Sequence, residues 1–531
     1  MSSPPPSLLS ASLASVSSLV LLQLFSRVFT FALNQALVRL VSPSVFGTAA
    51  IQFELLLSTI LFLSREGVRN SLLRASPTQK PSTASETLLH DGKKPKSTKP
   101  SSEETQAKSD DITLIANISL LPVLLGIPVT ILSAYFYLSS SSVDTRSQPH
   151  FQLSVVIYAL AAFFELLSEP LYIRAQNDLR FDVRVKAEGI AVFLKTLVAF
   201  VTLVTMDPEW ALVAFALGQA AYGVSTFLSF LRAYGGRVGY WPEQVKDKVH
   251  GNTKWQYFDT PLLHLSAAMT GQSVIKHFLT EGDKFLVSTL SPLTDQGGYA
   301  IASNYGSLIA RIVFQPIEET SRVFFSKTLS LSTTVSDEAL QAASSIFLTL
   351  LLLFTHLFLL LVTFAPPYLP LVISIMLPPR YHSTSAPSIL KTYVYYIPMM
   401  AYNGVLEAFF SSIATPKDLR VQSRWMLLFS LTFVGTAVLL SKYLELGDAG
   451  LVWANVVNLL LRAVFSWSYS RTFFASKGKE DLVASRSLPL TLRGQFGHVG
   501  IGAGCVVVCL VTCVLLERNM FKQLYSTLRK R

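Results

Sequence analysis

The sequence predicts an all-α polytopic membrane protein, with about 13 (12 to 14) transmembrane helices in two six-helix lobes around a central cavity. Three observations carry that expectation. Half of the 531 residues are hydrophobic and only 15% are charged, against about 25% charged in an ordinary soluble domain. Phe alone (35) outnumbers Asp and Glu together (33). The apolar residues also fall in blocks of about 18 or more, the length at which a helix crosses a hydrocarbon core of about 30 Å. A soluble fold has too few charges here to cover so much apolar side chain.

Taken in order, the first two apolar blocks run from Leu13 to Leu40 and from Val45 to Leu63. Four more follow, Ile112 to Leu138, Phe151 to Ile173, Ala187 to Met206 and Trp210 to Leu231. After a break come Gly271 to Leu290, Tyr299 to Phe325, Leu340 to Phe364 and Ile389 to Ile413. Val421 to Leu440, Ala449 to Tyr469 and Val499 to Leu516 complete the series. Each is read as helix, because in lipid only helices and closed barrels satisfy the backbone internally.

Polar stretches divide these blocks. Residues 76–111 are rich in Ser, Thr, Lys and Pro and read as a disordered loop on the cytosolic side. Residues 232–270 hold Trp241, Trp255 and Tyr257 beside Lys246, Lys248 and Lys254, which suggests a linker with an amphipathic surface helix. The expected organisation is therefore an N-lobe at 1–231, a cytosolic linker at 232–270, a C-lobe at 271–470, and a loop, helix and basic tail at 471–531.

The net charge of +11 reports orientation before it reports a ligand. With the N-terminus in the cytosol, Lys and Arg crowd the loops after even-numbered spans. Loops after odd-numbered spans, up to the twelfth, hold only Arg146, Arg380 and Lys442. That bias places the N-terminus in the cytosol and removes any need for a nucleic-acid partner. A thirteenth span disagrees with it, because it carries the basic tail from Arg518 to Arg531 to the opposite side. The sequon at Asn117-Ile118-Ser119 falls on the cytosolic edge, where no glycosylation is expected. The opening apolar stretch lacks a basic n-region and runs too far to be a cleavable signal.

Cys505, Cys509 and Cys513 sit four apart in one apolar run, along one helix face. No His, Asp or Glu joins them, so neither a metal site nor a disulfide is expected. No Walker-type loop, no Ser-His-Asp arrangement and no acidic loop large enough for a glycosyltransferase site is found. The expectation is a protein without enzymatic activity and without cofactor or metal.

The charges inside the spans are more informative, since each costs about 2.5–3.5 kcal/mol at a helix centre. Such residues normally face the bundle interior or a wet cavity. The first span has Arg27 and Arg39, the second Glu54, the fourth Glu165 and Glu169, and the fifth Lys195. The seventh has Lys276, His277, Glu281, Asp283 and Lys284, and the eighth Arg311, Glu318 and Glu319. Glu407 and Arg462 stand in the tenth and twelfth. Interior Arg27, Lys284 and Arg311 suit an anionic substrate, phosphate above all, which guanidinium meets in bidentate geometry. The competing reading makes these cations structural partners of Glu54, Asp283 and Glu318.

The halves echo each other. The second span begins Phe46-Gly47-Thr48-Ala49 and leaves through Glu66-Gly67-Val68-Arg69. The eighth begins Gly298-Tyr299-Ala300 and leaves through Glu319-Thr320-Ser321-Arg322. Parallel repeats of this kind place a substrate site at their interface.

Several stretches carry a family likeness: Leu22-Gln23-Leu24-Phe25-Ser26-Arg27, Phe62-Leu63-Ser64-Arg65-Glu66 and Leu279-Thr280-Glu281-Gly282-Asp283-Lys284. The most specific runs from Asn304-Tyr305-Gly306 through Arg311-Ile312-Val313-Phe314-Gln315-Pro316 to Glu318-Glu319. Asn403-Gly404-Val405-Leu406-Glu407, and Ala454-Asn455 on to Arg462, complete it. On these residues the chain resembles the Rft family of endoplasmic-reticulum proteins, within the superfamily of multidrug, oligosaccharidyl-lipid and polysaccharide exporters. The resemblance implies a flippase that moves dolichyl diphosphate carrying a mannose-rich oligosaccharide from the cytosolic to the lumenal leaflet, for N-glycosylation. It implies diphosphate binding by Arg27, Lys284 and Arg311, as similar lipid II flippases bind pyrophosphate through arginines. Arg39, Glu54, Arg65, Glu66, Glu281, Asp283, Gln315, Glu318, Glu319 and Glu407 are further candidates for the cavity or its gates. Members of the superfamily often have fourteen helices, one more than the spans counted above. Two other functions stay open: a non-transporting glycolipid-binding or scaffold protein, and a proton-coupled drug antiporter using Glu54 or Glu165.

Overall fold

A computed structural model describes residues 32–75, 113–178, 180–236, 239–249, 252–329 and 336–477. Arg27, the 76–111 loop, the three cysteines, and the last span with its basic tail lie outside these residues. The described chain is helical apart from one hairpin, and eight of its helices are long and apolar enough to cross a membrane. It is a polytopic all-α membrane protein.

The first described helix, α1, covers residues 32–40. It is followed by α2 (Pro43–Leu72), α3 (Thr113–Ser140), α4 (Phe151–Asn177), α5 (Phe181–Thr205) and α6 (Ala211–Ala233). Pro43 opens α2 behind Ser42, whose hydroxyl accepts from the Val45 amide. The missing N–H of proline costs nothing at that first-turn position. Two π-helical turns, Thr48–Phe53 and Phe62–Glu66, interrupt α2, and such turns frequently mark functional positions in helices.

Where an amphipathic helix was expected in the linker, the chain forms an antiparallel hairpin of β1 (Val245–Val249) and β2 (Asn252–Gln256). Lys246 pairs with Trp255 and Asp247 with Lys254. Val, Thr and Trp within alternating polar residues favour a strand over a helix. The hairpin is stapled at its base. Asn117, 2% exposed, donates to the carbonyls of Glu243 and Tyr257 at 2.7 and 2.6 Å, and its side-chain oxygen accepts from the Glu243 amide at 2.9 Å. One side chain on α3 thus holds both ends of the hairpin, and the sequon asparagine is consumed by this role.

The seventh span starts at Thr260, inside the segment read as linker, and is broken at Glu281 into α7 (Thr260–Thr280) and α8 (Gly282–Leu290). The eighth consists of α9 (Leu293–Ile309) and α10 (Gln315–Thr328), joined by the π-helical turn Ala310–Phe314. The ninth, α11 (Asp337–Met376), runs beyond its expected end at Phe364 and through Pro366, Pro367 and Pro370. Neighbouring groups can re-satisfy backbone freed by proline inside a membrane helix, so the prolines do not end it. α12 (Ala386–Ile413), α13 (Pro416–Val438) and α14 (Gly447–Ser476) follow.

Packing divides the chain into two compact units. One holds the described residues up to Ile312 with Leu361–Ile397 and Ser423–Asn458. Its core joins α2, α4 and α6 through Phe53, Leu57, Ile60, Val155, Tyr158 and Leu212. A second cluster, including Val68, Leu72, Ile118, Leu171, Phe230 and Leu262, brings in α3 and α7. The other unit holds Val313–Leu360, Pro398–Gln422 and the described residues from Leu459. Its centre is aromatic: the Phe325 ring lies 5.1 Å from Phe409, and Phe409 lies 4.7 Å from Phe347 and 5.6 Å from Phe474.

Candidate functional site

In the first unit, α2 of the first half meets α9 of the second through bare backbone. A Cβ on Gly47 would stand 2.6 Å from the Gly297 nitrogen, and one on Gly297 would stand 2.0 Å from the Pro43 carbonyl oxygen. Only glycine allows that approach. Beside this contact Gln52, on the first π-turn, donates to Gln296 at 2.8 Å and accepts from the Tyr137 hydroxyl at 2.7 Å. Gln296 in turn donates to the Ser291 carbonyl at 3.0 Å. The buried amides are thus mutually satisfied. Gly47, one of the two glycines noted in the echo of the halves, meets Gly297, whereas the other, Gly298, faces Thr384 and Ala386; Gln52 and Gln296 form a seam that sequence reasoning missed. Gln52 inside the second apolar block was the available signal.

Farther along α2, the second π-turn and the turn after it present Arg65 and Arg69 to α4. Arg65 bonds Glu165 at 2.7 Å, and Arg69 forks onto both oxygens of Glu169 at 2.6 and 2.7 Å. The Arg69 guanidinium also lies 3.9 Å from the centre of the Tyr172 ring. Glu169 is 1% exposed, and Arg69, with Arg65 3.9 Å away, offsets its buried charge. Arg65 and Glu165 therefore form a structural lock. Glu66 accepts from Asn70 at 3.2 Å. Glu54 faces Lys195 of α5 at 3.9 Å, the outer limit of an ion pair.

The break at Glu281 turns back on itself. Lys284 reaches Glu281 at 2.8 Å, and Asp283 accepts from the Lys284 amide at 2.8 Å and from the Tyr299 hydroxyl at 3.4 Å. His277 is buried, with Nε2 2.9 Å from the Thr59 hydroxyl and its ring against Phe62. It is a packing residue between α7 and α2. Arg39 and Arg311 are exposed. Arg311 sits on the π-turn after α9 and donates to the Asn304 carbonyl at 3.1 Å.

The second unit holds the remaining candidates. Gln315 and Glu319 are exposed. Glu318 bonds Arg322 one turn along α10 at 2.7 Å. Glu407 on α12 accepts from Arg462 on α14 at 2.6 Å and from Asn403 at 3.0 Å, both on Oε2. The interior carboxylates of this unit thus come with their own arginines. Among the described residues, no group of three or more His, Cys, Asp or Glu side chains could hold a metal ion.

A family model described as "Rft protein" matches residues 11–527. The chain belongs to the Rft family. Over its whole length it is 33% identical to the Man(5)GlcNAc(2)-PP-dolichol translocation protein RFT1 of Yarrowia lipolytica, covering 84% of that protein. The relative of the same name in Saccharomyces cerevisiae is 29% identical over 85% of this chain and 81% of its own length. Among solved structures, this Rft chain shares the fold of the lipid II flippase MurJ in an inward closed conformation. That match has a TM-score of 0.56, 13% identity, and covers 95% of this chain and 99% of MurJ. An inward-facing multidrug resistance MATE family transporter matches with a TM-score of 0.51 and 12% identity, over 87% of this chain and 96% of that one.

Proposed function

We propose that this Rft chain moves dolichyl diphosphate bearing a mannose-rich oligosaccharide from the cytosolic to the lumenal leaflet of the endoplasmic-reticulum membrane. The observation that carries the reading is the full-length match to relatives named as translocation proteins for Man(5)GlcNAc(2)-PP-dolichol. The protein performs transport rather than catalysis, and its partners are the glycolipid and the surrounding lipids. The distribution of Lys and Arg supports a cytosolic N-terminus, which puts the seam of Gly47, Gly297, Gln52 and Gln296 on the lumenal side. That seam supports a state in which the two halves are held together at their lumenal ends, as alternating access between repeats requires.

Arg27 and Arg311, one from each half, are the diphosphate ligands in this reading. Lys284 is already paired with Glu281, which offsets part of its charge towards an anion. The drug-antiporter reading fares worse. It needs a carboxylate free to take up and release a proton, yet Glu165 is bonded to Arg65 and Glu54 faces Lys195.

Purified protein in vesicles decides between transport and scaffolding. Exchange of the glycolipid between leaflets should run faster than in protein-free vesicles. Equal rates, with the glycolipid still bound by the protein, would discard transport and leave the binding or scaffold role.

A further inference from the structure

The hairpin of β1 and β2 is fastened to the membrane-spanning helices near one end of α3. That span has 28 residues from Thr113, about 42 Å of helix against a hydrocarbon core of about 30 Å. When centred, it extends beyond the core by about 6 Å at either end. Asn117 lies one turn in from the start, about 6 Å along the axis, and bonds the backbone of Glu243 and Tyr257. The Tyr240 hydroxyl donates to the Leu167 carbonyl at 2.8 Å, inside the apolar block of α4. The base of the hairpin is therefore held where hydrocarbon gives way to headgroups.

The two faces of the hairpin differ. Val245 opens one face and is 5% exposed, turned into the protein. Strand alternation puts Asp247 and, directly across from it, Lys254 on that same face. The other face pairs Lys246 with Trp255 and Lys248 with Thr253, and holds no acidic residue. Trp255 is 58% exposed and Tyr257, two residues on, is 44% exposed. Trp241, two residues before Glu243, is 84% exposed. Two residues of extended chain cover about 7 Å, so each tryptophan lies within headgroup reach of the Asn117 anchor. An indole, apolar but carrying an N–H, suits the boundary between lipid and water. Aligned lysines at that level complement an anionic leaflet in charge.

We propose that this face docks on the cytosolic leaflet, with Trp241, Trp255 and Tyr257 seated at headgroup level and Lys246 and Lys248 binding the phosphates of anionic phospholipids. The proposal rests on the orientation inferred above, which puts the hairpin on the cytosolic side. The segment that joins α6 to α7 then takes hold of the leaflet from which the glycolipid is drawn.

The test uses full-length protein in lipid nanodiscs, with Cys505, Cys509 and Cys513 changed to Ser and a nitroxide spin label attached through Thr253→Cys. Thr253 stands opposite Lys248 on the docking face. In phosphatidylcholine mixed with phosphatidylinositol, the label should be shielded from an aqueous nickel chelate yet open to lipid-soluble oxygen. Lys246→Gln and Lys248→Gln should each lower the ratio of docked to undocked label about fivefold in these discs. Neither should change it in pure phosphatidylcholine. Trp255→Ala should raise water access in both lipids. A label open to water in both mixtures overturns the proposal, and so does shielding indifferent to lipid charge and to both lysines. Shielding that appears only when other microsomal proteins are added would give the face to a protein partner, and the lipid assignment would fall. Sealed microsomes check the side separately: an impermeant maleimide should reach the Thr253→Cys thiol without permeabilisation. Reaction only after permeabilisation would overturn the orientation and with it the cytosolic leaflet, while the nanodisc label would still decide lipid contact.

Discussion

Gln52 donates its amide to the side-chain oxygen of Gln296 across 2.8 Å, joining residues 244 positions apart. Both side chains are buried, and the bond ties the first half of the chain to the second. Gln296→Leu removes the acceptor for Gln52 and should lower stability by about 1–3 kcal/mol, the usual penalty for orphaning a buried polar group. Gln52→Leu should do the same by stranding Tyr137 and Gln296. The double variant should lose less than the sum, because the shared bond is counted twice in the singles. Thermal unfolding in detergent reads all three proteins, and strict additivity would deny the pairing.

The lock between α2 and α4 makes a sharper stability prediction. Glu169 accepts two bonds from Arg69 and is almost fully enclosed. Glu169→Ala should destabilise the protein by about 3–5 kcal/mol, because it strands a half-buried guanidinium. Arg69→Lys keeps the charge but gives up both the fork and the stacking on Tyr172, and should cost less. Fluorescence-detected size exclusion after heating would rank the three proteins. A Glu169→Ala protein as heat-resistant as wild type would mean that the pair contributes nothing.

Asn117 should stay unglycosylated, because its amide nitrogen already donates to two carbonyls. Endoglycosidase treatment should therefore produce no shift attributable to this sequon. Asn117→Ala removes three hydrogen bonds at the hairpin base, each worth about 0.5–1.5 kcal/mol. Limited proteolysis should then cut the variant faster between Ala233 and Thr260 than the wild type. Unchanged cleavage in that stretch would show that the hairpin is held by other contacts.

What the sequence made legible followed from local pattern. Apolar block length located most of the described spans; of the charges inside them, Glu165 and Glu169 are buried whereas Arg39, Arg311 and Glu319 are exposed. What it hid depended on distance or on local compensation. The expected end at Phe364 missed the continuation through Pro366, Pro367 and Pro370, because a single sequence does not show what re-satisfies the backbone around them. The hairpin escaped because three lysines and two tryptophans at mixed spacing fit a surface helix as well as a strand. Glu54, Glu281 and Glu407 were visible as interior charges. Only the fold shows that they face Lys195, Lys284 and Arg462. The Gln52–Gln296 seam needed the packing of α2 on α9.

Arg311 is the described residue on which the diphosphate assignment turns. It stands exposed on the π-turn between α9 and α10, donating to the Asn304 carbonyl at 3.1 Å. A guanidinium tied to the Asn304 carbonyl is pre-positioned. With Arg311 as a diphosphate ligand, Arg311→Ala should abolish glycolipid exchange while insertion and abundance stay near wild type. A charge-assisted bond to a phosphate oxygen contributes about 1.5–3 kcal/mol, so inorganic pyrophosphate should bind the variant roughly 10- to 100-fold more weakly. Arg311→Lys should also be impaired, because a point charge replaces the bidentate fork. Arg27, outside the described residues, should behave alike as the ligand from the other half. Leaflet exchange at matched protein amounts, paired with pyrophosphate titration, separates binding from folding. Loss of abundance in Arg311→Ala would make the residue structural, and a well-folded variant that flips glycolipid at the wild-type rate would remove it from the phosphate site.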